Sequence, residues 1–578
     1  MSLTASFQIG RTALAASQLA IQVAGDNLAN AATPGFTRRV ATLSPLPGAG
    51  GVAGVSTGRG VGVANITRKV DQSLLSRLRA SVSDETAAQV SSDLFSQIES
   101  VTNDLTDFGL SSQLDGFVNA FSELANDPQG AETKSLIVDK GVALASHLQG
   151  LRSDLINVRT QVDGQLRSAV TRAKGLFGDV ASLNVTISNS EIGSAKNVAL
   201  RDQRDAVLQE LAGLVDINVL EQPNGAVDVR IGSTPVVQGG VSRGLDLNLK
   251  TENGALVAEV VVPDKLPERV FPTSGRIGAL IDQRDGLINT TINDLDNVTS
   301  NLIYEVNRIH SSGRPFPGLT STVSERTVPL ADQTLALNDP NNATLSRLPF
   351  AAGNGSITVL VTDRATGQTQ RTTIDIDLDG IDATGAPGFA DDTTLADVQT
   401  ALNGVSNLTA TLNPDGRISI TANPGFEFGF ERDSSGALAV LGINTYFTGT
   451  SAKDVGVRQE LIDKPQLLVA GASEGSNEAA LAVVALQNKS LSSLGDVSLS
   501  ESVRNSASAV GVSASAARTR ASAETQVRAS LESQRAAVSG VSIDEETINM
   551  LNFQRQFQAA ARFVSTVNDL TQTLISLV

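Results

Sequence analysis

Two segments at opposite ends of the chain repeat their apolar residues with a period of seven, and neither has a partner within its own flank. At the N-terminus Phe7, Leu14, Ile21 and Leu28 share one heptad position, and Leu3, Gly10, Ser17 and Ala24 share the partner position. At the C-terminus Met550, Phe553, Phe557, Ala560, Val564, Val567, Thr571, Leu574 and Val578 recur at spacings of three and four. Such spacing predicts two helices, each with an apolar seam. One seam of this length is unstable alone in water. Pairing the two ends, and then packing them against neighbouring subunits, would bury both seams, and in free monomer the ends are expected to be largely disordered. Gly10, Ser17 and Ala24 suit a closely approaching helix. Phe553 and Phe557 offer the larger hydrophobic target.

Between these ends the pattern changes several times. The first helix should stop near Asn30, because Thr33-Pro34-Gly35 follows and the residue before proline avoids the helical region. Residues 40–65, rich in Gly, Pro and Ser, read as a loop with one short strand near Val61 and Val63. Helical periodicity runs from 66 to about 215, through Leu74, Leu75 and Leu78, then Ile98, Val101 and Leu105, then Leu114, Phe117, Phe121 and Leu124. Leu148, Leu151, Leu155 and Val158 mark a long helix, and Leu200, Val207, Leu208, Leu211 and Leu214 end the block. Alternating residues around Asn224-Gly225 and Asn253-Gly254 predict two β-hairpins. Helix resumes from Ser274 to His310. Residues 320–455 alternate around Ile357–Val361, Ile374–Leu378 and a Pro414-Asp415-Gly416 hairpin, with one helix at Leu395–Leu402. Helix returns from 456, and the Ala- and Ser-rich stretch 505–526 reads as a helix packed through small residues.

The expected fold class is multidomain α+β, in four parts. Residues 1–65 with 535–578 form a discontinuous terminal α-helical coiled-coil domain. Residues 66–215, 272–319 and 456–534 form a mainly helical second domain. Residues 216–271 make a small β-subdomain, and 320–455 a mainly β outer domain.

Composition excludes several function classes. Aromatics are 3% of the chain, with no Trp, whereas deep ligand pockets usually want aromatic walls. There is no Cys, hence no disulfide framework and no thiolate chemistry. A net charge of −17 argues against nucleic-acid binding, which needs clustered cations. Residues 1–80 nevertheless hold eight basic residues and two acidic ones, a balance of +6 that leaves −23 for the rest. Such an end either steers subunit contacts or forms a solvated face. No run of about 18 apolar residues suggests membrane insertion, and residues 1–30 lack the pattern of a cleaved signal peptide.

Sites that could carry chemistry are few, and no catalytic, cofactor-binding or metal residue is assigned. Gly471-Ala472-Ser473-Glu474-Gly475 fits a G-x-S-x-G nucleophile turn. With two His in the chain, His147 and His310, a flexible domain-boundary loop is the better reading. Asp375-Ile376-Asp377-Leu378-Asp379-Gly380 opens like a calcium loop, but the twelfth position is Ala386 where Glu is required. A strand with an acidic outer face explains it. The echo of Asp202-Gln203-Arg204-Asp205 in Asp282-Gln283-Arg284-Asp285 reads as local ion pairs on helix surfaces.

The ends resemble a known family. Asp26-Asn27-Leu28-Ala29-Asn30-Ala31-Ala32-Thr33-Pro34-Gly35-Phe36-Thr37-Arg38-Arg39 resembles the N-terminal signature of bacterial flagellar axial proteins, carried by Asn27, Asn30, Pro34, Gly35 and Phe36. Ser539-Gly540-Val541-Ser542-Ile543-Asp544-Glu545-Glu546, followed by Asn552 to Ala561, is similar to their terminal segment. The Pro before Gly35, Thr37-Arg38, the stretch Leu200–Glu210, Gly275–Gly278 with Glu305-Val306-Asn307, and Leu441–Gly449 look like the hook-associated protein 1 family of hook–filament junction subunits.

That resemblance implies a non-enzymatic subunit without cofactor, placed outside the cell in the flagellum at the hook–filament junction and exported without a cleaved signal peptide. Its implied partners are the hook protein, hook-associated protein 3, further copies of itself in a ring, and a cytoplasmic flagellar export chaperone. Leu3, Phe7, Leu14, Ile21 and Leu28 would then face the assembly from the N-terminal helix. Met550, Phe553, Phe557, Val564, Val567 and Leu574 would serve assembly and chaperone from the C-terminal one. The alternatives are another flagellar axial subunit of hook or rod type, and a secreted adhesin using the outer β domain.

Overall fold

A computed structural model describes residues 3–33, 35–48, 58–103, 109–191, 196–252 and 255–576. Pro34, Leu105, the Asn253-Gly254 turn and Val578 lie outside these residues. In chain order the chain forms α1 (Leu3–Ala29), β1 (Arg39–Pro45), β2 (Val61–Arg68), α2 (Gln72–Val101), α3 (Leu110–Asn126), α4 (Ala131–Ser190) and α5 (Val198–Leu214). Strands β3 (Asn218–Glu221), β4 (Val227–Ile231), β5 (Thr234–Gln238), β6 (Val241–Ser242), β7 (Asp246–Glu252), β8 (Ala255–Val262) and β9 (Glu268–Val270) come next. Then follow α6 (Gly275–Asp282), α7 (Asn289–Ser311), β10 (Ser321–Val323), β11 (Gly355–Asp363), β12 (Thr369–Ile376), α8 (Leu395–Asn403), β13 (Leu408–Leu412), β14 (Ile418–Ala422) and β15 (Phe426–Asp433). The chain closes with α9 (Ala437–Leu441), β16 (Phe447–Thr448), β17 (Gly456–Val457), α10 (Gln459–Asp463), α11 (Glu478–Ala485), α12 (Leu499–Ser539) and α13 (Ile543–Ser576). No described helix is long and apolar enough to cross a membrane. The contacts divide the chain into two compact units, 1–94 with 161–286 and 515–578, and 95–160 with 287–514.

In the first unit the terminal helices pack on each other, and α1 packs on the β1–β2 hairpin. The sequence suggests one short strand here; the structure has two, paired antiparallel from Arg39↔Arg68 to Pro45↔Val61. Two antiparallel sheets follow, in the orders β3-β4-β5-β6 and β7-β8-β9. The β3–β4 turn behaves as Asn-Gly predicts, with Gly225 at φ +83°, a conformation that favours glycine. Asn184 on α4 is fully buried and fixes that sheet to the helix. Its Nδ2 donates to Val227 O at 2.7 Å and Gly239 O at 2.6 Å, and its Oδ1 accepts the Val227 N–H at 3.0 Å. An amide can do this because it both donates and accepts. The helix expected from Ser274 to His310 is interrupted by a wider π-helical segment, Gln283–Ile288, on the second Asp-Gln-Arg-Asp segment.

In the second unit the scarce aromatics are concentrated. Phe117, Phe121, Tyr446 and Phe447 pack with ring centroids 4.7–6.2 Å apart, three of the contacts edge-on, as ring quadrupoles prefer. The Tyr446 hydroxyl donates to Ile137 O at 2.8 Å. It fits because Gly141 has no side chain there; a Cβ would lie 2.0 Å from that oxygen. Farther along the chain β10-β14-β13 and β12-β11-β15 form two three-stranded sheets, joined in one core by Val359, Val361, Phe428, Phe430, Ile418 and Ile420. Helix α8 begins with a capping box between Thr394 and Asp397. The acidic strand is corrected: β12 ends at Ile376, so Asp377 and Asp379 lie beyond it.

Candidate functional site

Helix α1 runs antiparallel to α13, with Asn27 beside Glu546 at one end and Gly10 beside Val564 farther along. The face that closes is the small one. Gly10, Ala16, Ser17, Ala20, Val23, Ala24 and Asn27 are buried on α1, against Glu546, Ala560 and Val567 on α13. A Cβ at Gly10 would lie 2.5 Å from Val564 Cγ2 and 3.1 Å from Phe563 Cδ1, so glycine sets how near the helices come.

The larger residues of the two seams stand differently. Leu3, Leu14, Ile21 and Leu28 are half-buried, while Phe7 is 43% exposed. On α13, Met550, Phe553 and Val564 are half-buried, but Phe557 and Leu574 are 37% and 51% exposed. Exposed Ile548, Leu551, Phe563, Leu570 and Ile575 were not anticipated, because they fall off the heptad seam. The pair thus retains an uncovered apolar flank.

A polar lock closes the other end of the pair. Asn27 Nδ2 donates to Glu546 Oε2 at 2.9 Å and to Arg39 O at 2.8 Å, and Asn27 Oδ1 accepts the Arg39 N–H at 2.9 Å. Glu546 also receives Arg38 at 2.7 Å, and Arg38 reaches Glu545 at 2.8 Å. These carboxylates belong to the acidic first turn Asp544-Glu545-Glu546, where the helix dipole favours negative charge. Backbone bonds from Arg38 N–H to Ser539 O at 3.0 Å and from Lys69 N–H to Arg38 O at 2.8 Å hold the segment. Asn30 ends α1 by donating to Asp26 O at 2.9 Å. Gly35 adopts φ +82°, and the Arg39 guanidinium lies 4.8 Å over the Phe36 ring.

The first Asp-Gln-Arg-Asp segment joins this lock, which corrects the expectation of local helix pairs. Asp202 accepts from Thr37 and takes Arg68 at 3.0 Å and Arg39 at 3.5 Å; Asp205 takes Arg68 at 2.7 Å. Arg39 also pairs with Asp26. Buried Arg204 turns inward to Asn184 Oδ1 at 3.1 Å and Gly225 O at 2.7 Å, and burial pulls its pKa down. Its neighbour Arg201 pairs with Glu191 and Glu221, and the hydrogen bond from Arg201 holds the Glu191 carboxyl below its usual range. The second segment differs: Arg284 pairs with Asp163 and adjacent Asp285, and Asp285 accepts the Ala258 N–H at 3.1 Å. Three of the eight N-terminal cations, Arg38, Arg39 and Arg68, are thus used inside the fold. The available signal was the pairing of Arg38-Arg39 with the Asp-Glu-Glu turn that opens α13.

The remaining motifs lie elsewhere. No strand precedes Gly471–Gly475, only a 3-10 turn at Pro465–Leu467. The loop lies inside the second unit rather than at a boundary, and Ser473 N–H donates to Ser476 Oγ at 2.9 Å. His310 is 3% exposed, with Nδ1 2.8 Å from Asn444 O and Nε2 accepting the Val469 N–H at 3.2 Å. Burial pushes its pKa down to about 4. Oxygens of Asp377, Asp379 and Asp392 come within 4.8 Å of one another, but Asp392 is engaged by Asn338 Nδ2 at 2.6 Å.

Comparison with known proteins follows the same geography. The family described as "Flagellar hook-associated protein FlgK helical domain" matches residues 95–320. The basal body rod families match at the ends, "Flagella basal body rod protein" at 7–37 and "Flagellar basal body rod FlgEFG protein C-terminal" at 532–577. Flagellar hook-associated protein 1 of Escherichia coli is 23% identical over 98% of both chains, and that of Salmonella typhimurium 24% over 98% of both. The Bacillus subtilis protein of that name is 28% identical over 53% of this chain and 67% of its own. The solved flagellar hook junction protein FlgK from Burkholderia pseudomallei aligns at TM-score 0.49 and 15% identity, over 80% of this chain and all of that one. The sequence matches to flagellar hook-associated protein 1 relatives run nearly from end to end, and over that length the chain is similar to the flagellar hook-associated protein 1 family.

Proposed function

We propose that this chain is a structural subunit of the bacterial flagellum at the hook–filament junction, joining hook to filament and presenting the surface on which flagellin assembles. The observation that carries the reading is the terminal helix pair: it closes through small residues and leaves Phe7, Phe557, Phe563, Leu570, Leu574 and Ile575 exposed. A subunit that functions alone has no use for such a flank, whereas a subunit in a tube buries it against neighbours.

In this reading Leu3, Phe7, Leu14, Ile21 and Leu28, with Met550, Phe553, Phe557, Val564, Val567 and Leu574, are assembly residues. The neighbours are hook protein, hook-associated protein 3 and further copies in a ring. The C-terminal helix is also the segment a cytoplasmic export chaperone would hold before export without a cleaved signal peptide. The reading includes no enzymatic activity, and keeps the four-part domain division. Deleting residues 320–455 tests that division: filaments should still form if the segment is an independent outer domain.

The deciding experiment is a deletion strain. It should build hooks, fail to grow filaments, and release flagellin into the medium; normal filaments would refute the junction assignment. A second reading, an axial subunit of hook or rod type, is favoured by the rod-family matches at both ends. In that case the same strain would lack hooks.

A further inference from the structure

One feature of the second unit has no part in the terminal helix pair. A cleft of about 470 Å³ opens beside the start of α4, walled by the Gly471–Ser476 loop, Phe316 and Gln466. Its polar lining is unbalanced. Lys134, in the first turn of α4, is 5% exposed. Its ammonium donates to Gln466 O at 3.2 Å, and among the described residues no carboxylate pairs with it. An ammonium has three donors, and a buried cation without a counter-charge is costly. Burial accordingly lowers the Lys134 pKa, with no offsetting partner.

A second cation lines the same cleft. Arg314 is 8% exposed; one arm of its guanidinium meets Glu427 at 2.5 Å, while its Nε–H has no acceptor among the described residues. The Phe316 ring lies 4.9 Å from its Cζ. Ala131, the first residue of the 60-residue α4, also lines the cleft and adds the partial positive charge of a helix start. The one lining carboxylate, Glu474, is exposed and accepts from Gln129 at 3.3 Å. With Arg314 paired to Glu427 and Glu474 exposed, Lys134 is the lining charge left without a carboxylate partner among the described residues, in a recess of a size suited to a small ligand.

We propose that this cleft binds an oxyanion, the phosphate or carboxylate group of a small ligand, through Lys134 with Arg314 beside it. An oxyanion accepts the donors that Lys134 leaves unmatched and supplies the missing counter-charge. A carboxylate on an apolar body would in addition rest against Phe316.

Calorimetric titration of the full chain with inorganic phosphate, and separately with benzoate, tests the proposal. Saturable millimolar binding of at least one anion is expected, weakened at least tenfold by Lys134→Met. Tighter binding of benzoate identifies a carboxylate with an apolar body, and tighter binding of phosphate an inorganic anion or phosphoryl group. Lys134→Met removes a buried charge and should melt no lower than the wild type. If it does not fold, wild-type protein still decides: a saturating anion should slow reductive methylation of Lys134 while exposed lysines react unchanged. Absence of saturation by both anions, unchanged binding in Lys134→Met, or no protection of Lys134 would overturn the proposal.

Discussion

The aromatic cluster around Tyr446 and the terminal helix pair come from one aromatic-poor sequence, yet they cohere by opposite means. The cluster gathers Phe117, Phe121, Tyr446 and Phe447 into full burial and satisfies its polar atoms internally, Tyr446 on Ile137 O and His310 on Asn444 and Val469. The helix pair buries mostly Gly, Ala and Ser on α1 and keeps Phe7, Phe557 and Phe563 at the surface. Burial of large side chains contributes roughly 1.5–3 kcal/mol each; alanines and glycines contribute far less. The cluster is finished within the chain. The helix pair relies on one polar lock and reserves its apolar area.

The largest effect should come from the cluster. Phe117→Ala should cost about 3–5 kcal/mol of unfolding free energy in urea titrations. A loss below about 1 kcal/mol would show that the cluster is not a tightly packed core. The next effect is one of pH. Folded His310 titrates near 4, against about 6.5 for an exposed histidine. Above about pH 6.5 both states are neutral and stability is complete. As pH falls towards 4 the unfolded state takes up the proton and the folded state does not, so up to about 3 kcal/mol is lost, with no further loss below 4. Tyrosine fluorescence in urea at pH 7.5 and 4.5 should show that slope in the wild type and a shallower one in His310→Gln.

The helix pair should respond locally. Glu546→Ala removes the shared acceptor of Asn27 and Arg38 and should cost about 2 kcal/mol, seen as faster hydrogen exchange in 3–29 and 543–576. Strong protection of both segments in wild-type monomer would show that the ends do not wait for assembly to fold. Gly10→Ala forces Val564 aside against a helix-propensity gain of up to about 1 kcal/mol, so net destabilisation of about 1 kcal/mol or less is expected. Leu574→Ser should change monomer stability by less than about 0.5 kcal/mol and still impair filament growth. Normal motility would remove Leu574 from the assembly surface.

Periodicity made much of this legible. The heptads placed α1 and α13, the Asn-Gly and Pro-Asp-Gly turns placed hairpins, and the Leu114–Leu124 spacing placed α3. What escaped was pairing at long range. Nothing local in Asp202 or Asp205 points to Arg39 or Arg68, since ion pairs between distant segments leave no periodic trace. The uncovered residues of α13 escaped for a related reason: a seven-residue pattern reports the seam and is silent about its flanks. Which seam position closes was legible, because Gly10, Ser17 and Ala24 are the small residues of α1's two seam positions, and all three are buried.

The Asn27–Glu546 bond spans 519 residues of sequence, and that separation has a meaning in time. Ribosomes add roughly 5–20 residues per second, so Asn27 emerges about half a minute to nearly two minutes before its acceptor exists. Throughout that interval α1 has the β1–β2 hairpin to pack on but lacks its helical partner α13. Any cellular factor that must grasp this end has a window written into the order of synthesis, and completion of α13 closes it.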